Sequence, residues 1–217
     1  MKDPYASETT EEFVRRLQMD PDYQAMMAEK AQKQSEIRAR LAKAEGPLIE
    51  DLRRVNIKVR SVWDLVNTPF PYGPAVPVLV KHLGANYPGV ILEGIGRALG
   101  VPSARPYWRE LVNLYSKLAD DEARDEDDLP KGSLKMGLAL ALSAMGDHSH
   151  FEEMAALLRN RSLGPTRAAF IYALVRLNDP RIWSILEELA GDPDLSGGIA
   201  DQLQARERRR RRRFGAS

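Results

Sequence analysis

The sequence predicts an all-α protein in which helical hairpins stack into a right-handed α-α superhelix, or solenoid, with an N-terminal helical extension. Three observations predict this class. Apolar residues recur at helical spacing through most of the chain. Three segments stop in the same way, and the spacing of these stops becomes constant when one acidic insertion is left out, which is the sequence signature of a repeat architecture.

The predicted organisation has three parts. Residues 1–68 form the N-terminal extension, residues 74–205 form the stacked hairpins, and residues 206–217 form an arginine-rich tail. An acidic loop at residues 119–132 interrupts the hairpins, because its run of carboxylates does not suit a packed helix. The chain has 217 residues, of which 43% are hydrophobic, and this is enough for one compact domain and an extension.

The N-terminal extension begins with two predicted helices. Ser7 or Thr9 can cap the first, whose early glutamates suit the positive end of a helix dipole. Asp20 and Pro21 end it and start a second helix over residues 22–45. The second helix has a thin apolar stripe and no sustained heptad repeat. We therefore expect a solvated helix along the first hairpin, with a homodimeric coiled coil as the alternative.

A change of pattern separates this extension from the hairpins. Gly46 and Pro47 are predicted to end the second helix. Short helices follow at residues 48–55 and 62–66. The segment from Asn67 to Pro74 then contains three prolines and a glycine, which exclude a continuous helix and mark a boundary.

Three equivalent stops indicate the repeats. In each, a large apolar residue (Leu99, Met145 or Leu177) is followed by Gly or Asn and then by a turn. Gly and Asn adopt the left-handed conformation that closes a helix, and Asp or Pro after them opens the next helix. The spacing between the three stops is 46 and then 32 residues, and removal of the fourteen residues 119–132 makes the two equal.

The predicted repeat unit is a pair of antiparallel helices. An apolar helix precedes each stop, and the helix after it carries an early aromatic residue: Trp108, Phe151 or Trp183. We expect these aromatic residues to lie in the core. Small residues cluster in the second helix of each pair, where they allow neighbouring backbones to approach closely.

The stop pattern Ala-Leu-x-x-Leu/Met-Gly/Asn-Asp resembles the short HEAT-like repeats named after phycobilisome lyases. The resemblance covers residues 74–203, and Ser61–Asn67 also looks like uncharacterised bacterial HEAT-repeat proteins. The ankyrin and tetratricopeptide signatures are absent. The resemblance implies a non-catalytic scaffold or adaptor that binds a protein partner on the surface of its second helices. The candidate contact residues are the polar residues of those helices: Glu93, Arg97, Lys135, Arg167 and Arg176.

The charge distribution suggests an alternative function. The formal net charge of +1 includes seven arginines and one glutamate at residues 206–213, so the rest of the chain carries −5. Each guanidinium group can donate two parallel hydrogen bonds to the oxygens of one phosphate, which predicts nucleic-acid binding by the tail. Two structural interpretations compete with this one: a solvated extension of the last helix, or a partner for the acidic residues 120–128. The candidate residues are Arg206, Arg208, Arg209, Arg210, Arg211, Arg212 and Arg213.

The sequence predicts no catalysis and no cofactor. Cysteine is absent, which excludes disulfides and thiolate chemistry, and no phosphate loop or hydrolase motif occurs. Asp147, His148 and His150 could ligate a metal, but their position before a helix favours a turn with capping residues. His82 is interpreted as a helix-end residue.

The enzyme class that deserves comparison is the HEAT-like alkylpurine DNA glycosylases, which the chain resembles in size and helix count. In that family a tryptophan is followed one helical turn later by a catalytic aspartate. Here Trp108 is followed by Val112, and Trp183 is followed by Glu187 on a different repeat. The acidic body would repel phosphate, so this class is the third hypothesis.

The sequence also predicts the compartment. The first twenty residues contain no apolar signal segment, and no later segment offers the about 20 apolar residues of a membrane span. Together with the absence of cysteine, this predicts a cytoplasmic protein.

Overall fold

A computed structural model of the protein describes residues 9–66, 68–119 and 129–214, with side chains as far as Arg212. Within these ranges the chain forms helices and turns without a β-strand, which confirms the all-α class. The chain divides into two compact units, Met1–Lys43 and Ala44–Ser217. The α-helices are α1 (Thr10–Met19), α2 (Pro21–Arg54), α3 (Trp63–Val66), α4 (Val76–His82), α5 (Gly89–Ala98), α6 (Trp108–Lys117), α7 (Leu134–Met145), α8 (Phe151–Arg159), α9 (Ala169–Arg176), α10 (Arg181–Glu188) and α11 (Ser196–Phe214).

The first unit begins with a capped helix. Thr9 Oγ1 accepts a hydrogen bond from the Glu12 N–H at 3.3 Å, and Glu12 Oε2 accepts one from the Thr9 N–H at 2.9 Å. This capping box starts α1. Asp20 alone separates α1 from α2, and its carboxylate accepts hydrogen bonds from the backbone of Asp22 and Tyr23. The predicted break at Asp20 is therefore confirmed, whereas Ser7 lies outside the described residues.

The predicted helix end at Gly46 and Pro47 is wrong, because α2 continues through both residues. Gly46 lacks the Cβ atom that would clash with the proline ring. An interior proline costs about 3 kcal/mol, but the next turn buries Leu48 and Leu52 completely, and two buried leucines contribute about 3–6 kcal/mol. The helix ends where Asn56 adopts a left-handed φ of 63°.

In the second unit, α5 and α7 pack through glycines. A Cβ atom at Gly137 would lie 2.6 Å from the carbonyl oxygen of Glu93, and one at Gly96 would lie 2.9 Å from the backbone of Gly137. Nearer the C-terminal ends, Gly100 approaches the side chain of Ala144 in the same way. The two helices therefore run in the same direction at a distance that only small residues permit.

The end of α9 lies beside the end of α7. Arg176 Nη2 donates to the carbonyl oxygens of Ser143, Ala144 and Gly146, at 2.8, 3.2 and 3.2 Å. The last carbonyl groups of a helix lack partners within it, so this guanidinium completes the hydrogen bonding of α7. The helices α5, α7 and α9 are consecutive neighbours, and we call them the second helices.

Ion pairs tie α8 to α10 at both ends. Arg181 at the start of α10 pairs with Glu152, and its guanidinium lies 4.2 Å from the centre of the Phe151 ring. At the other end, Arg159 donates to both carboxylate oxygens of Glu188. Each pair joins residues 29 positions apart, so the two helices run in the same direction and in register.

The helix ends predicted at the three stops are present, but their conformation differs from the prediction at two of them. Asn178 adopts a left-handed φ of 56°, whereas neither Gly100 nor Gly146 has a positive φ. Close packing, and not a left-handed turn, accompanies glycine at these two positions. A Cβ atom at Gly146 would lie 2.6 Å from the sulfur of Met154.

Candidate macromolecule-binding surfaces

Arg167, a predicted contact residue, lies in the interior with 1% of its surface exposed. Its guanidinium donates to Asp192 Oδ1 at 2.6 Å and to the carbonyl oxygens of Gly164 and Leu158 at 3.0 Å. Burial opposes ionisation of Asp192, but the hydrogen bond from Arg167 and the backbone N–H of Asp194 outweigh it and lower the pKa of Asp192. Arg167 is thus an internal ion-pair residue, and the predicted surface position is wrong.

Lys135 is also away from the surface. Only 2% of it is exposed, and its ammonium group lies 5.9 Å from the centre of the Tyr115 ring. The predicted position of Lys135 on α7 is correct, but its side chain lies on the side of the helix that packs against other helices. The long aliphatic part of a lysine can be buried beside apolar groups, which a count of polar residues does not reveal.

Glu93 and Arg97 remain at the surface as a pair. Arg97 Nη2 lies 2.7 Å from Glu93 Oε1, and Glu93 Oε2 accepts a hydrogen bond from the Ser133 N–H at 3.0 Å. The Arg97 guanidinium lies 5.5 Å from the centre of the Trp63 ring. The two residues are next to each other on α5, and each also has a structural contact.

Each second helix has one stripe that is not buried. The opposite side of each helix is buried, as at Ile95, Leu142 and Leu174, which have no exposed surface. Because the second helices are neighbours, the three stripes form one surface, which we call the second-helix surface. It consists of Glu93 and Arg97 on α5, Met136, Leu140 and Ala144 on α7, and Tyr172, Val175 and Arg176 on α9.

The centre of the second-helix surface is apolar, which the sequence analysis did not predict. Tyr172 exposes 55% of its surface, and Met136, Leu140 and Val175 are half-buried. Charged groups are confined to its edges. The sequence did contain a signal for this apolar centre: Met136, Leu140 and Ala144 are spaced by four residues in a helix that is mostly apolar. When such a helix packs against its neighbours, one apolar stripe stays uncovered.

Residues 206–214 of the predicted arginine-rich tail form the end of α11. Its first arginine, Arg206, is anchored: the guanidinium lies 4.5 Å from the centre of the Trp183 ring, and Nη1 lies 3.4 Å from Glu187 Oε1. Arg211 pairs with Glu207 at 3.0 Å. The side chain of Arg213 lies outside the described residues. The exposed arginines without an acidic partner among the described residues are Arg208, Arg209, Arg210 and Arg212.

Asp147, His148 and His150 form a capped turn, as the sequence predicted. The Asp147 carboxylate contacts the Ser149 hydroxyl and N–H, the His150 ring and Arg105, which together lower its pKa to about 2. The His150 ring packs against Trp108, with 4.0 Å between ring centres. No three His, Asp or Glu side chains in the described ranges converge as metal ligands.

A partly buried polar chain joins α2 to α4, and the sequence pattern did not predict it. His82 lies between the Tyr87 hydroxyl at 2.7 Å and Asp51 Oδ2 at 3.0 Å. Lys81 Nζ also donates to Asp51, at 2.8 Å. The hydrogen bonds from Lys81 and His82 lower the pKa of Asp51 to about 2. Lys81, His82 and Tyr87 all lie 30 or more positions from Asp51 in the sequence. Helical spacing, which relates residues three or four positions apart, therefore gave no signal for this polar chain.

No helix in the described part of the chain combines the length and the apolar character that a membrane span requires. Comparisons with protein-family models, with curated proteins and with solved structures found no significant match.

Proposed function

We propose that this chain is a non-catalytic scaffold of HEAT-like repeats that binds a protein partner on the second-helix surface. A repeat architecture is supported by the common direction of α5 and α7, and by the equal sequence separation of the two ion pairs between α8 and α10. A right-handed superhelix of such hairpins would present its second helices as one continuous curved face.

The observation that carries the proposal is the apolar centre of this surface with charged edges. Tyr172 is 55% exposed and Val175 is half-buried on α9, and Leu140 is half-buried on the neighbouring helix α7. The charged groups are Arg176 at the end of α9 and the Glu93–Arg97 pair on α5. Protein interfaces commonly have an apolar core rich in aromatic residues and a polar rim. A phosphate-binding surface would instead have basic residues at its centre.

Site-specific photo-crosslinking in cells tests the proposal. A benzophenone amino acid replaces Tyr172, and a control replaces Asn113, which is exposed on α6. We expect one discrete adduct from position 172, its loss when Leu140→Glu is added, and no such adduct from position 113. The same adducts from both positions, or an adduct that persists with Leu140→Glu in a folded protein, would contradict the proposal.

Nucleic-acid binding through α11 is a second candidate function. It is favoured by the exposure of Arg208, Arg209, Arg210 and Arg212 on a helix whose first arginine is fixed on Trp183. Arginines in succession on one helix point in all directions, so a phosphate backbone could contact only some of them at once. Each phosphate contact contributes about −0.9 to the slope of log affinity against log salt on duplex DNA.

The test compares the full chain with a chain that ends at Ala205. Binding to duplex DNA and to RNA is measured by fluorescence anisotropy at low and raised salt. We expect binding by the full chain that weakens with salt and is lost in the shortened chain. If both chains bind equally, or neither binds, the tail has no such role.

The non-catalytic part of the proposal includes Trp183 and Glu187. Both contact the guanidinium of Arg206 and are therefore already engaged within the chain. We expect no release of alkylated purine from damaged DNA by the wild-type protein. If the wild-type protein released alkylated purine and Glu187→Gln did not, the non-catalytic part of the proposal would be wrong and a glycosylase would be supported.

A further inference from the structure

The part of α2 in the first unit is a helix without a core of its own. In residues 9–43 no side chain is buried, and all residues from 24 to 36 are exposed. The helix α1 cannot cover this part by folding back, because a single residue, Asp20, separates the two helices and helical hairpins need loops of about 2–5 residues.

A seam runs along this part of α2. Six residues alternate at spacings of four and three, which is the pattern of a coiled-coil seam: Tyr23, Met27, Lys30, Gln34, Ile37 and Leu41. The seam is apolar at both ends and polar in the middle. Met27 exposes 42% of its surface. The polar middle interrupts the apolar heptads, which is why the sequence alone favoured a solvated helix.

We propose that residues 21–43 of two copies of this chain pair as an antiparallel coiled coil, with the twofold axis near Gln32. In this arrangement Tyr23 packs against Leu41 of the second copy and Met27 packs against its Ile37. A twofold axis repeats both contacts, so four apolar layers flank the polar middle. The Lys30 ammonium group then faces the side-chain amide of Gln34, whose oxygen can accept a hydrogen bond.

The charges select the antiparallel direction. Residues 20–29 carry a net charge of −3, and residues 30–43 carry +4. Antiparallel pairing places the acidic half of one helix beside the basic half of the other, whereas parallel pairing opposes like charges and places Lys30 against Lys30. This self-complementarity is the reason to infer a second copy of this chain instead of an unrelated partner.

Sedimentation velocity at concentrations up to about 100 μM tests the pairing, since a short coiled coil with four apolar layers is weak. We expect a concentration-dependent species with about twice the mass of the 24.4 kDa chain. Ile37→Glu should remain monomeric. Ala39→Glu adds the same charge at an exposed position outside the seam and should still dimerise.

A wild-type chain that stays monomeric throughout, or an Ile37→Glu chain that dimerises as the wild type does, would overturn the proposal. Circular dichroism shows whether each variant keeps its helix content. The second unit provides an internal check of folding, because residues 44–217 form a separate compact unit.

Crosslinking tests the direction, and the absence of cysteine makes introduced thiols unique. Chains with Tyr23→Cys and chains with Leu41→Cys are treated with a short bismaleimide, alone and mixed. We expect covalent dimers only in the mixture. Dimers of Tyr23→Cys with itself would show parallel pairing and contradict the proposal.

Discussion

At the scale of single residues, the main finding is that three charged residues predicted to contact a partner make structural contacts within the protein. Arg167 lies in a buried ion pair, and Arg176 completes the hydrogen bonding at the end of α7. Lys135 is buried beside an aromatic ring. A polar residue in these packed helices is therefore a candidate for a structural role before it is a candidate for recognition.

Arg167→Met should destabilise the protein strongly. It leaves Asp192 buried without its hydrogen-bonding cation and removes donors from two buried carbonyl oxygens. We expect the free energy of unfolding to fall by about 3–5 kcal/mol, measured by urea denaturation. Arg161 also contacts Asp192, at 3.1 Å, but its side chain is 76% exposed. The control Arg161→Met should therefore cost less than about 1 kcal/mol, and equal losses would refute the assignment.

The ion pairs of Asp51 should make stability depend on acid pH. Its pKa in the folded state is about 2, below the ordinary value of 3.8. Between these values the unfolded state binds more protons, so the stabilisation is complete above about pH 4 and is lost as the pH falls towards 2. Asp51→Asn should therefore be less stable than the wild type at neutral pH.

The difference between the two proteins should shrink as the pH falls from about 4 to about 2, because the wild type loses the stabilisation that the variant never had. Urea denaturation of both proteins at several pH values measures this difference in the free energy of unfolding. Parallel curves for wild type and variant would show that Asp51 does not contribute in this way.

At the scale of elements, close packing decides where glycine occurs. Gly137 and Gly96 lie where α5 and α7 come into backbone contact, and Gly146 makes room for Met154. The stop pattern predicts a left-handed turn at each of its glycines, and this prediction is wrong for Gly100 and Gly146. Composition cannot distinguish these two uses of glycine, because both require only the absence of a side chain.

Gly137→Ala should separate α5 from α7. The added methyl group would lie 2.6 Å from a backbone oxygen, which cannot move without its helix. We expect a loss of about 1–3 kcal/mol in the free energy of unfolding. Gly197→Ala in α11 is the matched control, since nothing lies within 4 Å of its new methyl group. It should be neutral or stabilising by up to about 1 kcal/mol, and a similar loss in both variants would contradict the packing argument.

At the scale of the whole molecule, α2 belongs to both compact units. Its first part has no buried residue, whereas Leu48 and Leu52 near its end are fully buried in the second unit. The boundary between the units, after Lys43, therefore falls inside a continuous helix. The sequence placed the boundary of the extension at residue 68, after the short helices.

Two truncations should separate these parts. A chain that starts at Ala44 keeps the leucines, and we expect its thermal midpoint to stay within a few degrees of the full chain at low protein concentration. A chain that starts at Val55 loses Leu48 and Leu52, and its midpoint should fall by about 10 °C or more. Differential scanning calorimetry measures both. A large loss in the first truncation would show that residues 1–43 stabilise the rest.

The sequence by itself determined the all-α class, Ser7 or Thr9 as the cap of the first helix, the break at Asp20 and the helix ends at the three stops. These features depend on neighbouring residues, through helical periodicity and the geometry of the first and last turns. Only the tertiary structure decided that α2 continues through Pro47, that Arg167 is buried and that an apolar stripe around Tyr172 remains exposed. Burial depends on residues distant in the chain, and local periodicity identifies which residues share a face of a helix without identifying what covers that face.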